Sequence, residues 1–531
     1  MTARRADLVT VVAVAVIVVG CCARFVHLDR LWYFHDEAIT SLRLSGETGA
    51  SFRSHVAGRT VSVADLDRYQ TAHGSPLATV RSLALEDPQH PPLFFVAERG
   101  FASVAGSSAT ALRALAAIFG VLAVVGAAAL ARELFGSWRT GAVAGAAVAI
   151  SPFQLLYSQQ AREYSLWVAT TALASWALVR MLRKPTMSRY ALYGLALALA
   201  LYTFPNTLLV LAAHLLVVLG SSEGRRAKKG FVVAAAGALA AFVPWLVVMA
   251  VERGALDAGT SWITQAVPLS ELARSWLIVT GLDVADHAGS TSTYGAYAAL
   301  VFASVLSLHV AALIVVALRA ARDAALLVIA LVLVPFVPLA LLDVAAGGIR
   351  SAIPRYIAPT YLAFSVALAY LVCAGLAANA AATRASGAVM AAALVTAAVV
   401  SYTHRWDARI WWNADDGAAA ANLAAAREVR QRFPHRLDSA GVGTLLELSH
   451  ALPADTRIRV ALDGAAPTPR GGAVVVYGSP ANGAAAARLE ILLATFRKRG
   501  VSLRELVPSL ACCGAGIKPI PHQLWLASTK P

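Results

Sequence analysis

Residues 112–131 read LRALAAIFGVLAVVGAAALA, an unbroken stretch dominated by alanine, valine and leucine. Wound as an α-helix, a stretch of this length reaches about 30 Å, the thickness of a bilayer's hydrocarbon core. It stops at Arg132, and a second arginine follows at Arg139. Similar apolar runs recur through roughly the first three quarters of the chain, separated by short breaks that carry charge, proline or glycine. Of 531 residues, 58% are hydrophobic and 14% charged. A soluble domain carries roughly 25% charged residues, so a single aqueous core cannot absorb this composition. The chain reads as a polytopic α-helical membrane protein.

Charge then orients the runs. The net charge of +15 does not point to nucleic acid, because Lys and Arg sit in short clusters between apolar segments, as they do in cytoplasmic loops. With Arg4 and Arg5 inside, an uncleaved first span from Leu8 to Ala23 delivers His27 and the residues after it to the outer face. A long outer loop, residues 27–110, comes next; within it the apolar stretch Pro91 to Ala105 carries Glu98 and Arg99 and reads as an interfacial helix. Further spans are expected at 112–131, 140–153, 164–182, 190–204 and 207–219, and then ending near Val251, Arg319, Leu342, Ala378 and Tyr402. The basic loops at Arg132/Arg139, Arg180–Arg189, Arg225–Lys229 and Arg319/Arg322 then all fall inside. This gives about eleven transmembrane helices in residues 1–403.

Beyond Tyr402 charged residues and Gly/Pro turns return, and Ala473 to Tyr477 reads as a buried strand after a helical stretch near Gly417 to Phe433 and before another at Ala481 to Lys498. Residues 404–531 are therefore expected to form a small α/β C-terminal extracytoplasmic domain. The five cysteines, at 21, 22, 373, 512 and 513, form no metal-ligand spacing and no disulfide framework.

Five polar clusters fall on the outer side of this topology. They are Phe34-His35-Asp36-Glu37, Glu86 to Pro92, Ser151 to Tyr164, Thr203 to Asn206, and Asp343 with Arg350 and Ile353 to Tyr356. Ionisable groups at span ends are costly to desolvate and commonly line a cavity or pathway. A carboxylate pair with arginines at a membrane surface suits transfer from a lipid phosphate. Phosphate is a good leaving group that needs neutralisation by Arg more than it needs a proton. The acceptor is a poor nucleophile whose proton a carboxylate must take.

The motifs also resemble a known family, the membrane glycosyltransferases of the C fold (GT-C). The likeness is to the family 39 branch, with protein O-mannosyltransferases that use dolichyl or polyprenyl phosphate mannose and the lipid A aminoarabinose transferase. Asp36-Glu37 matches that family's acidic pair; Asp87 with His90-Pro91-Pro92-Leu93-Phe94 matches a second motif. Ser158-Gln159-Gln160-Ala161-Arg162-Glu163-Tyr164 matches a third, with Gln160 where the family usually has Glu, and Arg355-Tyr356 with Pro359 a fourth. The resemblance covers roughly residues 1–410 and implies an inverting glycosyltransferase in the cell's inner membrane, with its active site outside the cytoplasm. By that resemblance Asp36 is the catalytic base with Glu37 in support. Asp87 and His90 shape the pocket, and Arg162 and Arg355 hold the donor phosphate. Gln159, Tyr164 and Tyr356 complete the substrate-binding set. The implied partners are a polyprenyl-phosphate sugar donor, an acceptor protein, lipid or glycan, and the bilayer. A divalent cation stays open, since Gln160 removes an acid. The alternative is a multi-span lipid flippase or secondary transporter, which would place ionisable groups near the bilayer midplane. A membrane-anchored receptor needs only one span.

Overall fold

The computed structural model describes residues 2–286, 297–406, 437–439, 442–460, 474–478, 494, 497–498, 502–507 and 523–528. The apolar stretch 112–131 lies in α7 (Ala109–Phe135), whose ends are set by local chemistry. The Ser108 hydroxyl accepts the Ala111 N–H at the start, and Gly136 closes the other end at φ +63°, a left-handed conformation that glycine adopts without steric cost.

Before α7 come α1 (Thr2–Ala23), α2 (His35–Leu44), α3 (Gly49–Val56), the strand β1 (Thr60–Ser62), α4 (Val63–Asp67), α5 (Pro76–Glu86) and α6 (Leu93–Ala105). After it come α8 (Trp138–Ile150), α9 (Pro152–Tyr157), α10 (Tyr164–Arg183), α11 (Met187–Thr203), α12 (Thr207–Gly220), α13 (Ser222–Val251), α14 (Arg253–Thr260) and α15 (Leu269–Val279). The bundle closes with α16 (Ala298–Arg319), α17 (Arg322–Ala346), α18 (Ala358–Leu376) and α19 (Ala381–Trp406).

A helix stands at each of the eleven places where a span is expected. Seven, including α7, α10, α13 and α16, are long and apolar enough to cross a membrane; Leu8–Ala23 and Thr207–Gly220 are shorter apolar helices. α8 has 13 residues, about 20 Å of rise, and so falls short of the hydrocarbon thickness. At Ser151 the backbone leaves helical geometry, and a separate short helix, α9, starts at Pro152 with the Ser151 hydroxyl as its cap. α6 also has 13 residues and buries Phe94, Phe95, Glu98, Arg99 and Ala102; it is not among the long apolar helices.

α10 and the segment Pro354–Leu376 are the central helices, about four fifths buried, whereas Ala381–Thr403 is 17% buried and keeps Val389 and Val399 on its outside. Such outward valines suit lipid, where every backbone group is already paired within its own helix. Small residues let the helices meet closely. A Cβ on Gly20 would fall 2.5 Å from the Ala149 carbonyl oxygen, and one on Gly387 2.8 Å from the Leu376 nitrogen. Arg24, fully buried, donates to the Gly20, Val148 and Ala149 carbonyls at 2.7, 2.9 and 2.7 Å and so caps the ends of both α1 and α8.

The last described part contains β2 (Leu437–Ser439), α20 (Val442–Ser449), β3 (Arg457–Val460), β4 (Val474–Gly478), β5 (Ser502–Val507) and β6 (Gln523–Ser528). β4 falls where the strand is expected. The sheet order is β1-β3-β2-β4-β6-β5, with β2 parallel to both β3 and β4 and the other pairings antiparallel. Its edge strand β1 comes from the first loop, pairing Thr60 with Arg459. The helix expected at 417–433, Trp411, Trp412 and the Cys512-Cys513 pair lie outside the described residues, as does most of 481–498.

Candidate active site

α2 starts where Phe34 turns extended and Glu37 folds its carboxylate back onto the Phe34 N–H, 3.1 Å away. This sets Asp36 in the first helical turn, where the positive end of the helix favours a carboxylate. Its side chain keeps 26% of its surface open, whereas Glu37 is fully buried.

Glu37 is held by a two-pronged pair with Arg113, Nε to Oε1 at 2.8 Å and Nη2 to Oε2 at 2.6 Å, and it accepts the Ala161 N–H at 3.0 Å. Arg113 also donates to the carbonyls of Leu28, Leu31 and Trp32 at 2.6, 3.0 and 2.9 Å. One buried pair thereby fixes α7, the entry to α2 and the turn before α10. Glu37 supports the site from behind and does not face the opening.

Two guanidinium groups converge on Asp36. Arg162 donates to the Asp36 carbonyl at 3.4 Å and the Thr40 hydroxyl at 3.2 Å. Arg355 Nη2 lies 3.9 Å from Asp36 Oδ2, and the Arg355 Nε is buried with no hydrogen-bond partner among the described residues. The rings of Trp262, Tyr164 and Tyr356 surround the Arg355 guanidinium at 5.4, 5.8 and 5.8 Å. Burial works to raise the Asp36 carboxyl; the charges of Arg162 and Arg355 outweigh it and hold the group below its ordinary value.

His90 bridges the same residues. Its Nδ1 is 2.7 Å from Glu163 Oε1 and its Nε2 3.1 Å from Arg162 Nη2. A guanidinium only donates, so Nε2 accepts and the proton on Nδ1 goes to Glu163. Burial pushes Glu163 up, but Arg162 and His90 pull it below its usual range. Asp87 accepts from Arg43 Nε at 2.6 Å and from Gln89 at 3.2 Å, while its carbonyl takes the His90 N–H at 2.9 Å. It thus braces the turn that carries His90. Arg43 also reaches Glu86 at 2.8 Å, and Glu86 caps α3 through the Gly49 and Ala50 N–H groups at 2.6 and 2.9 Å.

The five polar clusters of the sequence meet here. Asn206 donates to the Tyr356 carbonyl at 3.4 Å, and Asp343 holds the segment before Arg355 by accepting from Arg350 and from the Ser351 N–H and hydroxyl at 2.9, 2.7 and 2.7 Å. Gln159 goes elsewhere, against its expected substrate role. Its amide nitrogen donates to the Ala23, Arg24 and Val26 carbonyls at 3.0, 3.1 and 3.0 Å, because the end of α1 leaves those oxygens without helical partners. Asp36, His90, Arg162, Tyr164, Arg355 and Tyr356 form the rest of the set. Among the described residues no three His, Cys, Asp or Glu side chains converge as cation ligands. The partly open Asp36 carboxylate faces the Arg355 guanidinium, with that of Arg162 against its carbonyl.

A family model described as dolichyl-phosphate-mannose-protein mannosyltransferase matches residues 89–248, from the turn of His90 through α10 and into α13. No curated protein sequence matches the chain. Among solved structures, that of ArnT from Cupriavidus metallidurans bound to undecaprenyl phosphate is 14% identical at a TM-score of 0.51, covering 97% of this chain and 98% of that one. The apo state of the same protein is 14% identical at a TM-score of 0.50, covering 97% of each chain. The chain has the fold of these structures, the GT-C fold. In this GT-C chain the residues that fix the site, Arg113, Arg43 and Glu163, are not among the sequence-derived candidates. Arg113 carried a signal, since a lone guanidinium near the start of an apolar span must find a buried partner. His214, polar in the middle of its helix, is satisfied by Ser175 and Tyr193, both at 3.1 Å.

Proposed function

We propose that this GT-C enzyme moves a sugar from a polyprenyl-phosphate donor to an acceptor hydroxyl or amine at the outer face of the cell's inner membrane. One observation carries the reading: Asp36, partly open in a helix's first turn, has one guanidinium 3.9 Å from its carboxylate and another 3.4 Å from its carbonyl, contributed by separate parts of the chain. The acceptor oxygen or nitrogen attacks the anomeric carbon from the face opposite the phosphate, and Asp36 takes its proton. The bond from that carbon to the phosphate oxygen breaks, its electron pair stays on the phosphate, and Arg162 and Arg355 neutralise the charge that builds there. A single displacement inverts the anomeric centre. The ring cage holds the Arg355 guanidinium in place beside the Asp36 carboxylate. The carrier lipid is supported by the shared fold with ArnT, whose structure contains undecaprenyl phosphate. Sidedness is supported by the opposite helix ends, where the basic loops meet: Arg183 pairs with Glu133 at 2.8 Å and Ser221 with Asp323 at 2.7 Å.

The test is purified protein with a panel of radiolabelled polyprenyl-phosphate sugars and candidate acceptors. Asp36→Asn should abolish transfer while donor binding survives, and unchanged transfer would remove Asp36 as the base. Arg355→Ala should weaken donor binding, so a normal affinity would contradict its phosphate role. A second reading, transport, has one observation in its favour, the buried pair at 3.1 Å between His309, midway along α16, and Asp283 in the segment after α15. Proteoliposomes that accumulate label without forming transfer product would favour it.

A further inference from the structure

α2 is gripped from two sides. One face carries Asp36 toward Arg162 and Arg355; the other packs on α20, far along the chain. Trp32, Phe34 and Leu42 share a buried apolar cluster with Leu445, Leu446 and Leu452. The Trp32 indole N–H donates to the Glu447 carboxylate, and the His450 ring lies 4.0 Å from Tyr33. A further close approach adjoins Asp36 itself. His35 lies so near Gly443 that a Cβ there would fall 2.1 Å from His35 Cε1 and 2.5 Å from its Nδ1. The β1–β3 pairing anchors the same loop a second time.

We propose that Gly443 is a positioning residue for the transfer reaction: by leaving room for His35, it lets α20 seat the first turn of α2 so that the Asp36 carboxylate meets its guanidinium partners. The C-terminal segment is then part of the scaffold of the active site. A misplacement of about 1 Å at a reacting group costs up to about 100-fold in rate, and a new methyl group at Gly443 must displace the His35 ring or the turn that bears it.

The inference rests on Asp36 as the base, and the experiment separates the two. Transfer rate, acceptor KM and donor affinity are measured for Gly443→Ala, His35→Ala, the two combined, and Asp36→Asn, all in the full-length protein. Gly443→Ala should lower kcat at least tenfold with donor affinity unchanged. Adding His35→Ala should restore kcat to that of His35→Ala alone, because the ring that the methyl group strikes is gone; a merely unfolded C-terminal segment would not be rescued this way. Wild-type kcat in Gly443→Ala, or no rescue, overturns the proposal while leaving the base intact if Asp36→Asn is dead. An active Asp36→Asn overturns the reading beneath it. Should Gly443→Ala not be recoverable as folded protein, Trp32→Phe, which removes the bond to Glu447 and part of the packing on α20, takes its place; kcat should then fall several-fold at unchanged donor affinity, and an unchanged kcat sinks the proposal.

Discussion

Asp36 works in the field of two fixed cations, and its pH behaviour reflects them. Because Arg162 and Arg355 hold its carboxyl below the ordinary range, the proposed base stays ionised as pH falls until that depressed value is reached. Replacing Arg355 with Gln removes one cation, so the acid limb of kcat/KM should move to higher pH; a limb that stays put in the pH–rate profile would show that Arg355 does not act on Asp36. Glu37 carries a different expectation. Glu37→Gln leaves the Arg113 charge buried without its counter-charge, a change that costs about 3–5 kcal/mol in such pairs. The variant should melt at markedly lower temperature in detergent, and replacing Arg113 by Met in the same chain should recover part of the loss. That Asp36, His90, Arg162 and Arg355 gather in one place was legible in the sequence, because ionisable side chains at the ends of apolar spans are costly to leave unpaired and collect where they can meet. Gln159 was not, since an amide serves a substrate and a helix end equally well. Its choice depends on where the last carbonyls of α1 come to lie.

Contacts between helices set how firmly those side chains are aimed. Arg43 ties α2 to the end of α5 through Asp87 and Glu86. Burial raises the Asp87 carboxyl and Arg43 more than offsets it, so the folded value lies below the unfolded one. The stability this adds is fully present above the ordinary aspartate value of about 4 and is lost as pH falls through the depressed one. Arg43→Met should therefore flatten the acid side of the melting-temperature curve; a curve parallel to wild type would argue against the linkage. At the other contact, Gly20→Val must push α1 away from Ala149 and loosen the cap that Arg24 forms over both helices. Overpacking of this kind costs about 1–3 kcal/mol, readable as earlier melting with kcat little changed. The span pattern itself was plain from apolar runs and basic loops. The shortness of α8 was not, because Ser151 and Pro152 redirect the helix before Phe153 and hydropathy does not register a bend.

For the molecule as a whole, sidedness decides whether the chemistry has a donor to work on. A cysteine placed at exposed Arg59 in the first loop, in a background free of native thiols, should react with a membrane-impermeant maleimide in intact cells; one at Lys228 should react only after permeabilisation. The reverse pattern would place the cleft in the cytoplasm. The division of the chain into a bundle followed by an appended domain was less readable, since strand β1 lies about 400 residues ahead of its partner β3 and three residues carry little pattern of their own. That distant pairing has a consequence for biosynthesis. While the ribosome is still adding residues before Arg457, the loop bearing Asp36 has no partner for Thr60 and no helix beneath His35, however completely the upstream spans have inserted. A nascent chain halted short of that point should expose the Thr60–Ser62 amides to exchange, and on the proposed reading the loop is set only once the chain's final stretch has been made.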